Sequence, residues 1–377
     1  MIFQTIYSFL LSFVILLQSA LGLPVYSIGF KIDNAAAVFE TGDEMYTVMW
    51  TTTRPGSGYV TYTYDGKDYT VNDQENGCIR SLDTIHSVRV PKEHLDHNTY
   101  VVHSQYVATK QGYDAVKGKT VSSEPVHFKG YDGQDELNVL VLSDIHENRA
   151  SADDAVKHFD EQPDLVVLNG DITSTMVEKK QVGTIISYAN HFSNGGEIPV
   201  AYLRGNHETR GEYASEMPKY FKTGNDGLYY SFTYGPVHVL ALDSGEDKED
   251  SHEEYSGLVD FTTYIAHESE WLKNLTPEPD AQYNICFVHM PELEDRYGNN
   301  WLGELGRLQT DAVIAGHWHS LDLNFREGSA PFCRIIDGGK SGSDGYIATM
   351  LTFTNGQMQV RSFDTAGTLC GERTYIF

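Results

Sequence analysis

Residues 35–131 form short segments rich in β-branched and aromatic side chains, separated by turn residues. Asp65-Gly66 stands between two such segments, which is a signal for a tight hairpin. Short strands with frequent turns are typical of a small antiparallel sandwich, and we expect Trp50 to lie in its core. The predicted strands are 37–40, 46–52, 59–64, 69–71, 86–90, 100–109 and 125–129.

The pattern changes after residues 130–135, a polar junction that contains two glycines. Beyond it, near-continuous apolar runs alternate with segments of helical length, as expected of strands covered on both faces. The sequence therefore predicts a β-sandwich domain over 23–133 and an α/β domain over 134–377, with ligands bound beyond the carboxyl ends of its strands. The predicted strands are 137–142, 165–168, 200–203, 237–242, 285–288 and 312–314, and the predicted helices are 151–161, 177–191 and 262–275.

The first 23 residues carry no charge, and an apolar run over 7–17 is followed by small residues. This run is shorter than the roughly 20 apolar residues that a membrane-spanning helix needs. Residues 1–22 are therefore predicted to be a signal peptide, with an uncleaved membrane anchor as the alternative. We expect a secreted or extracytoplasmic protein with no stable membrane insertion after cleavage. Two disulfides are compatible with that location, but the spacing indicates no pairing among Cys78, Cys286, Cys333 and Cys370.

The composition excludes several classes of protein. The 377 residues are 40% hydrophobic and 12% aromatic, so the chain can bury large cores and wholesale disorder is excluded. The formal net charge of -26 opposes binding to nucleic acid. An anionic substrate therefore requires a local source of positive charge, and the oligomeric state is left open.

Residues that bind metals follow five of the predicted strands. In an extended chain, side chains two residues apart point the same way, so each Asp-x-His or His-x-His pair is expected to converge. The glycines of these motifs are expected to let the backbone turn sharply. Asp-x-His or Gly-Asp alone is common by chance, and Gly-Asn-His-Glu and Gly-His-x-His are moderately specific. Together and in this order the motifs indicate a metal site. The motifs are Asp144-Ile145-His146, Gly170-Asp171, Gly205-Asn206-His207-Glu208, His289 and Gly316-His317-Trp318-His319.

The residue types restrict the metal. Carboxylate together with imidazole suits Fe, Mn or Zn, whereas Ca and Mg sites consist almost wholly of oxygen ligands. We therefore expect Fe, Mn or Zn without deciding among them.

These motifs resemble those of the calcineurin-like metallophosphoesterase superfamily, over about residues 137–377. The resemblance implies a β-sandwich flanked by helices and two metal ions per chain. It further implies that Asp171 bridges the ions, that His207 is the general acid for the leaving group, and that Glu208 supports the ligands from outside. The implied ligands are Asp144, His146, Asp171 and His319 for one ion, and Asp171, Asn206, His289 and His317 for the other.

Within that superfamily, the segments 229–244 and 270–272 are similar to the purple acid phosphatase branch, which often carries an N-terminal sandwich of the fibronectin-III type. Two positions depart from that branch. His146 stands where it has Gly, and Ser174 stands where it has a Tyr ligand, so an Fe(III) charge-transfer colour is not expected. Residues 203–208 also resemble the cytosolic Ser/Thr protein phosphatases, but the segments around Asp144 and Asp171 do not match the motifs of that family.

The expected function is hydrolysis of a small phosphate ester by metal-bound hydroxide, with no covalent phosphoenzyme and with His207 protonating the leaving group. Asn148 and Arg210 are candidate phosphate contacts, and the alternative for both is a solvated loop residue. Specificity for a monoester or for a diester is open. The alternative from another class is a non-enzymatic surface-binding protein built on the same scaffold.

Overall fold

The structure is a computed structural model that describes residues 13, 14, 17, 27–294, 296–326, 328, 330–342 and 345–377. The predicted signal peptide, residues 1–22, lies almost entirely outside the described residues. Within the described part of the chain, no helix has both the length and the apolar character needed to cross a membrane. The four cysteines form no disulfide in this structure, and Cys286 is buried.

The N-terminal region is almost entirely β-structure. Its strands agree with the predicted ones, except that 46–52 and 59–64 belong to one long strand and that β4, β5 and β8 were not predicted. The strands are β1 (Ala37–Glu40), β2 (Met45–Tyr64), β3 (Lys67–Asn72), β4 (Gln74–Glu75), β5 (Cys78–Ile79), β6 (Asp83–Pro91), β7 (Asn98–Gln111), β8 (Asp114–Ser122) and β9 (Val126–Phe128), with one short helix, α1 (Lys92–Leu95).

The long strand β2 makes this region a sandwich. Its first half pairs with β1 and β6, its second half pairs with β3 and β7, and the register shifts between Thr51 and Gly56. Apolar side chains from both halves share one core. Trp50 lies fully buried in that core, as predicted, and its Nε1 donates a hydrogen bond of 2.9 Å to Ser104 Oγ.

The rest of the chain alternates strands and helices and ends in a β-meander. The strands are β10 (Glu136–Leu142), β11 (Leu165–Asn169), β12 (Pro199–Leu203), β13 (Tyr230–Tyr234), β14 (Val237–Leu242), β15 (Tyr283–Val288), β16 (Ala312–Ala315), β17 (Leu321–Asp322), β18 (Cys333–Asp337), β19 (Gly339–Ser341), β20 (Gly345–Thr354), β21 (Gln357–Asp364) and β22 (Leu369–Ile376). The helices are α2 (Arg149–Val156), α3 (Lys180–Phe192), α4 (Phe261–Asn274) and α5 (Trp301–Arg307).

These strands form two sheets that face each other. The first has the order β22-β21-β20-β10-β11-β12 and continues into the N-terminal strands, and the second has the order β13-β14-β15-β16-β18-β17. Apolar side chains from the inner faces of both sheets form a shared core. Helices α2 and α3 cover the outer face of the first sheet, and α4 and α5 cover that of the second. The fold is therefore the predicted β-sandwich flanked by helices.

Hydrogen bonding crosses the predicted boundary at residue 133. Strand β1 pairs in parallel with β12, with Val38 opposite Pro199 and Phe39 opposite Val200. The first sheet therefore runs without interruption from the N-terminal sandwich into the C-terminal α/β region. Two separate domains, divided at residue 133, stay a prediction.

A buried ion pair lies close to this junction. Lys92 Nζ is 2.6 Å from Glu40 Oε2, and the Lys92 ammonium also lies 5.5 Å from the ring centre of Phe232. Burial outweighs the attraction of Lys92 and raises the pKa of Glu40 from its ordinary value of 4.5 to about 7. The folded protein therefore holds this proton more tightly than the unfolded chain does.

This difference in the pKa of Glu40 predicts that the free energy of unfolding depends on pH. Because the pKa of Glu40 is raised in the folded state, the stabilisation from its more tightly held proton is fully present below about pH 4.5. This stabilisation is lost as the pH rises through about 7. Glu40→Gln should therefore gain stability relative to the unchanged protein between pH 5 and pH 8, by up to about 3 kcal/mol. Urea unfolding of both proteins at the two pH values measures this, and a difference that does not vary with pH contradicts it.

Candidate metal centre

The metal-binding motifs meet at one edge of the two facing sheets. Asp144, Asp171 and Asn206 follow β10, β11 and β12 of the first sheet, whereas His289 and His317 follow β15 and β16 of the second. Their side chains come together in three overlapping groups whose ligand atoms lie within 4.8 Å of one another. The groups are Asp144, His146 and His319; His146, Asp171 and His207; and Asp171, His289 and His317.

Asp171 lies at the centre of this arrangement. Its Oδ2 is 3.2 Å from His289 Nε2, 3.8 Å from His146 Nε2 and 3.8 Å from His207 Nε2. Its Oδ1 accepts a hydrogen bond of 2.9 Å from the backbone N–H of His207. One carboxylate therefore faces several imidazoles, and its role as a bridge between two ions stays a prediction.

Asp144 is the second carboxylate on which imidazole nitrogens converge. Its Oδ1 is 3.2 Å from His319 Nε2 and 3.8 Å from His289 Nε2. The Nε2 atoms of His146 and His319 are 3.3 Å apart, so both nitrogens point at one place. Asp144 Oδ2 accepts a hydrogen bond of 3.0 Å from the backbone N–H of His317. This bond connects the loop after β10 to the loop after β16.

The polar atoms of these residues fit bound cations. Asp144 Oδ1, Asn206 Oδ1 and His289 Nε2 are buried and have no hydrogen-bond partner among the described residues. Buried polar atoms are almost always partnered, so the unpartnered Asp144 Oδ1 and His289 Nε2, which are 3.8 Å apart, indicate a ligand. His289 Nδ1 is 2.8 Å from the carbonyl oxygen of Asn169, and this bond orients Nε2 towards the carboxylates.

The protonation of the histidines depends on their surroundings. Burial lowers the pKa of His146 to about 4, so this imidazole is neutral and able to bind a metal at neutral pH. Burial alone would lower the pKa of His289 too, but the Asp171 and Asp144 carboxylates raise it to about 10. A metal cation bound at His289 Nε2 would therefore displace a proton that the two carboxylates stabilise.

The side chains converge for a reason that differs from the predicted one. Asp144, His146, His317 and His319 have φ values of 52°, 45°, 69° and 50°, so the left-handed region replaces the extended chain assumed from the sequence. Asp171 also has a positive φ, of 53°. Non-glycine residues in this conformation are strained and concentrate at functional sites.

The motif glycines allow neighbouring side chains to approach the backbone closely. Only Gly170, with φ of 86°, adopts the left-handed conformation that the predicted sharp turn requires, and a Cβ there would lie 2.4 Å from the His289 ring. A Cβ at Gly205 would lie 2.2 Å from Asp171 Oδ1, and one at Gly316 would lie 2.6 Å from Ser143 Cβ. Gly205 and Gly316 do not adopt a positive φ, and they are instead needed for close packing.

Glu208 connects the loops from outside the ligand cluster. Its buried carboxylate accepts hydrogen bonds from the backbone N–H groups of Asp171 at 2.9 Å, Thr173 at 2.8 Å and Gly205 at 2.9 Å. Burial and the nearby Asp171 carboxylate raise its pKa to about 7. Glu208 thus fixes the backbone on both sides of the centre, and its role in supporting metal ligands stays a prediction.

His207 and Arg210 lie next to the cluster. His207 Nδ1 is 2.9 Å from the carbonyl oxygen of Ser174, so its Nε2 faces Asp171. Arg210 Nη1 is 3.4 Å from His207 Nε2, and its other nitrogens donate to the buried carboxylate of Glu246 at 2.9 Å and 3.0 Å. Thr209 Oγ1 and Tyr255 Oη also donate to Glu246. Arg210 is therefore a fixed side chain at the site.

The structure does not bring Asn148 into this cluster. Its side chain is exposed at the start of α2, and its Nδ2 donates to Ser151 Oγ at 2.8 Å. Its role as a phosphate contact stays a prediction.

Two buried carboxylates near the site were missed. Asp337 accepts hydrogen bonds from Ser143 Oγ at 2.5 Å and Asn169 Nδ2 at 3.1 Å, behind Asp144. The apolar run before it, which forms β18, is the signal that could have revealed it. The other is Glu246, and no local sequence signal marks it as buried.

The fold and site together define a metal-dependent hydrolase of the calcineurin type. Residues 137–321 match the family model of the calcineurin-like phosphoesterases, and this part of the chain is therefore a calcineurin-like phosphoesterase domain. The family is metal-dependent, and the chain is accordingly a phosphoesterase hydrolase with a metal centre.

One solved structure supports the same fold, and a second is similar to a smaller part of the chain. A structure of PhoD is 12% identical, with a TM-score of 0.50 over 91% of this chain and 88% of that chain. A dimetal phosphatase from Danio rerio is 13% identical, with a TM-score of 0.44 over 64% of this chain and 99% of that chain. No curated protein matches the chain.

Proposed function

We propose that the protein is a secreted hydrolase of small phosphate esters that acts through two metal ions, each Fe, Mn or Zn. One ion would be held by Asp144, His146, Asp171 and His319, and the other by Asp171, Asn206, His289 and His317. The observation that carries the proposal is the convergence of unpartnered buried ligand atoms from both sheets around Asp171. When bound, two such cations neutralise phosphate charge and lower the pKa of water.

His207 has the geometry of a proton donor. The bond from its Nδ1 to Ser174 fixes the ring, so Nε2 is the nitrogen that would carry a proton to the leaving oxygen. Its side chain is 31% exposed, which leaves that nitrogen accessible to an incoming ester. We therefore assign His207 as the general acid.

Arg210 is proposed to bind a phosphate oxygen. Glu246 holds two of its nitrogens, whereas Nη1 points towards His207. A guanidinium fixed in this way binds an anion with little further loss of conformational freedom. It also supplies local positive charge in a protein whose net charge is -26. The same acidity supports small esters as substrates and opposes nucleic acid.

Secretion is supported by the uncharged apolar segment at the start of the chain. N-terminal sequencing of the protein from its natural source tests this part, and a chain that still begins at Met1 contradicts it.

The central test is hydrolysis by the metal-loaded protein. We expect release of product from an aryl phosphomonoester or a bis-aryl phosphodiester, and loss of that activity after chelation. The faster substrate distinguishes a phosphatase from a phosphodiesterase. If metal-loaded protein hydrolyses neither ester, the proposal is wrong, and the alternative of a non-enzymatic binding protein is favoured.

A further inference from the structure

Trp318 lies between two proposed metal ligands, His317 and His319, at the end of β16. The left-handed conformations of both neighbours and the bond from His317 N–H to Asp144 fix the backbone at this point. The position of Trp318 is therefore coupled to the metal centre, although its side chain is not a ligand.

The indole of Trp318 is held in place but is not buried. Its Nε1 donates a hydrogen bond of 3.1 Å to Glu292 Oε1, and its ring centre is 5.7 Å from that of Phe325. Nevertheless 49% of the residue is exposed, whereas Trp50 and Trp301 are fully buried. A rigid, half-exposed aromatic surface costs no further ordering when a ligand stacks on it.

A cavity of about 340 Å³ adjoins this surface. His317 lies in its wall, so the cavity opens directly from the metal centre, and Met290 and Trp318 provide apolar surface. Its volume is at the lower end of the range for small-molecule sites, which suits one ring system.

The charged residues of the cavity limit what it can accept. Asp247 and Glu292 line it and disfavour a group that carries additional phosphates. Arg296 also lines it, and its buried Nε has no hydrogen-bond partner among the described residues. An uncharged planar ring therefore complements this cavity better than a polyanion does.

We infer that Trp318 is the stacking surface for a planar aromatic leaving group of the phosphate ester, an inference that rests on the proposed function. The phosphate would lie at the metal centre and the ring in the adjoining cavity. The ring could come from a benzyl or phenol-type alcohol or from a nucleoside, and the two sources share this stacking chemistry.

Benzyl phosphate and cyclohexylmethyl phosphate separate stacking from reactivity, since both release primary alcohols of similar size. Trp318→Ala should lower kcat/KM for benzyl phosphate about tenfold, mainly through KM, and change it less than about twofold for cyclohexylmethyl phosphate. Trp318→Phe should retain most of the activity on benzyl phosphate, whereas Trp318→Leu should not. Tyr113→Ala, at a fully exposed ring in the N-terminal region, is the matched control and should change neither.

Metal content is measured for every variant, so that loss of the centre is not mistaken for loss of stacking. An equal decrease on both substrates, or none, overturns the role of Trp318 while leaving the proposed function intact. Absence of hydrolysis by the unchanged protein defeats the proposed function itself. Adenosine 5′-monophosphate is the substrate in the second arm of the experiment. If Trp318→Ala lowers kcat/KM for this substrate, the leaving group is a nucleoside. If the decrease is confined to benzyl phosphate, the leaving group is a simple aromatic alcohol.

Discussion

Asp171→Asn is expected to abolish most of the activity and to remove at least one metal ion. The carboxylate faces His146, His207 and His289, and an uncharged amide would attract a cation far less. Loss of a bound metal removes several kcal/mol of transition-state stabilisation, so kcat/KM should decrease about 10³-fold or more. Metal analysis together with steady-state kinetics on an aryl phosphomonoester measures both effects.

Asp280→Asn is the matched control for this substitution. Asp280 is exposed and precedes β15, at the opposite end of that strand from His289, so metal content and activity should not change. Full activity of metal-free Asp171→Asn protein would contradict the assignment.

His207→Ala is expected to leave both metal ions bound and to slow the reaction selectively. Removal of a general acid typically costs about 10²–10⁴-fold, and the loss should be largest for esters whose leaving groups are strong bases. The measurement is kcat across a series of phosphate esters with leaving groups of increasing pKa. The variant should show a steeper dependence than the unchanged protein.

The exposed His267 on α4 provides the control, because His267→Ala removes an imidazole from the surface of the helix. If His207→Ala lowers kcat equally for all leaving groups, or releases metal, then His207 acts as a ligand or a structural residue and the general acid must be sought elsewhere.

The convergence of the proposed ligand residues could be predicted because most of their motifs follow an apolar run. Parallel strands bring their carboxyl ends to one edge, so Asp144 and Asp171 meet although 27 residues separate them. The local sequence pattern did not predict the backbone conformation at these residues. The left-handed φ values at Asp144 and His317 depend on tertiary bonds such as that between His317 N–H and Asp144 Oδ2.

Long-range pairing was the part of the fold that could not be predicted. Strand β1 lies next to β12 across about 160 residues of chain, and no local pattern marks this partner. The strands β20–β22 of the C-terminal meander were also not predicted, although their burial partly alternates along the chain. Buried carboxylates such as Glu246 could not be predicted either, since a charged residue is rarely buried unless it is paired.

Metal titration of the protein after chelation tests the central claim most directly. Aliquots of Mn²⁺ or Zn²⁺ are added to metal-free protein, and bound metal and hydrolysis of an aryl phosphate ester are followed together. We expect activity to begin near zero, to increase with bound metal and to level off at two ions per chain. Hydrolysis by the metal-free protein at the same rate as the loaded protein would contradict a metal centre built on Asp144 and Asp171.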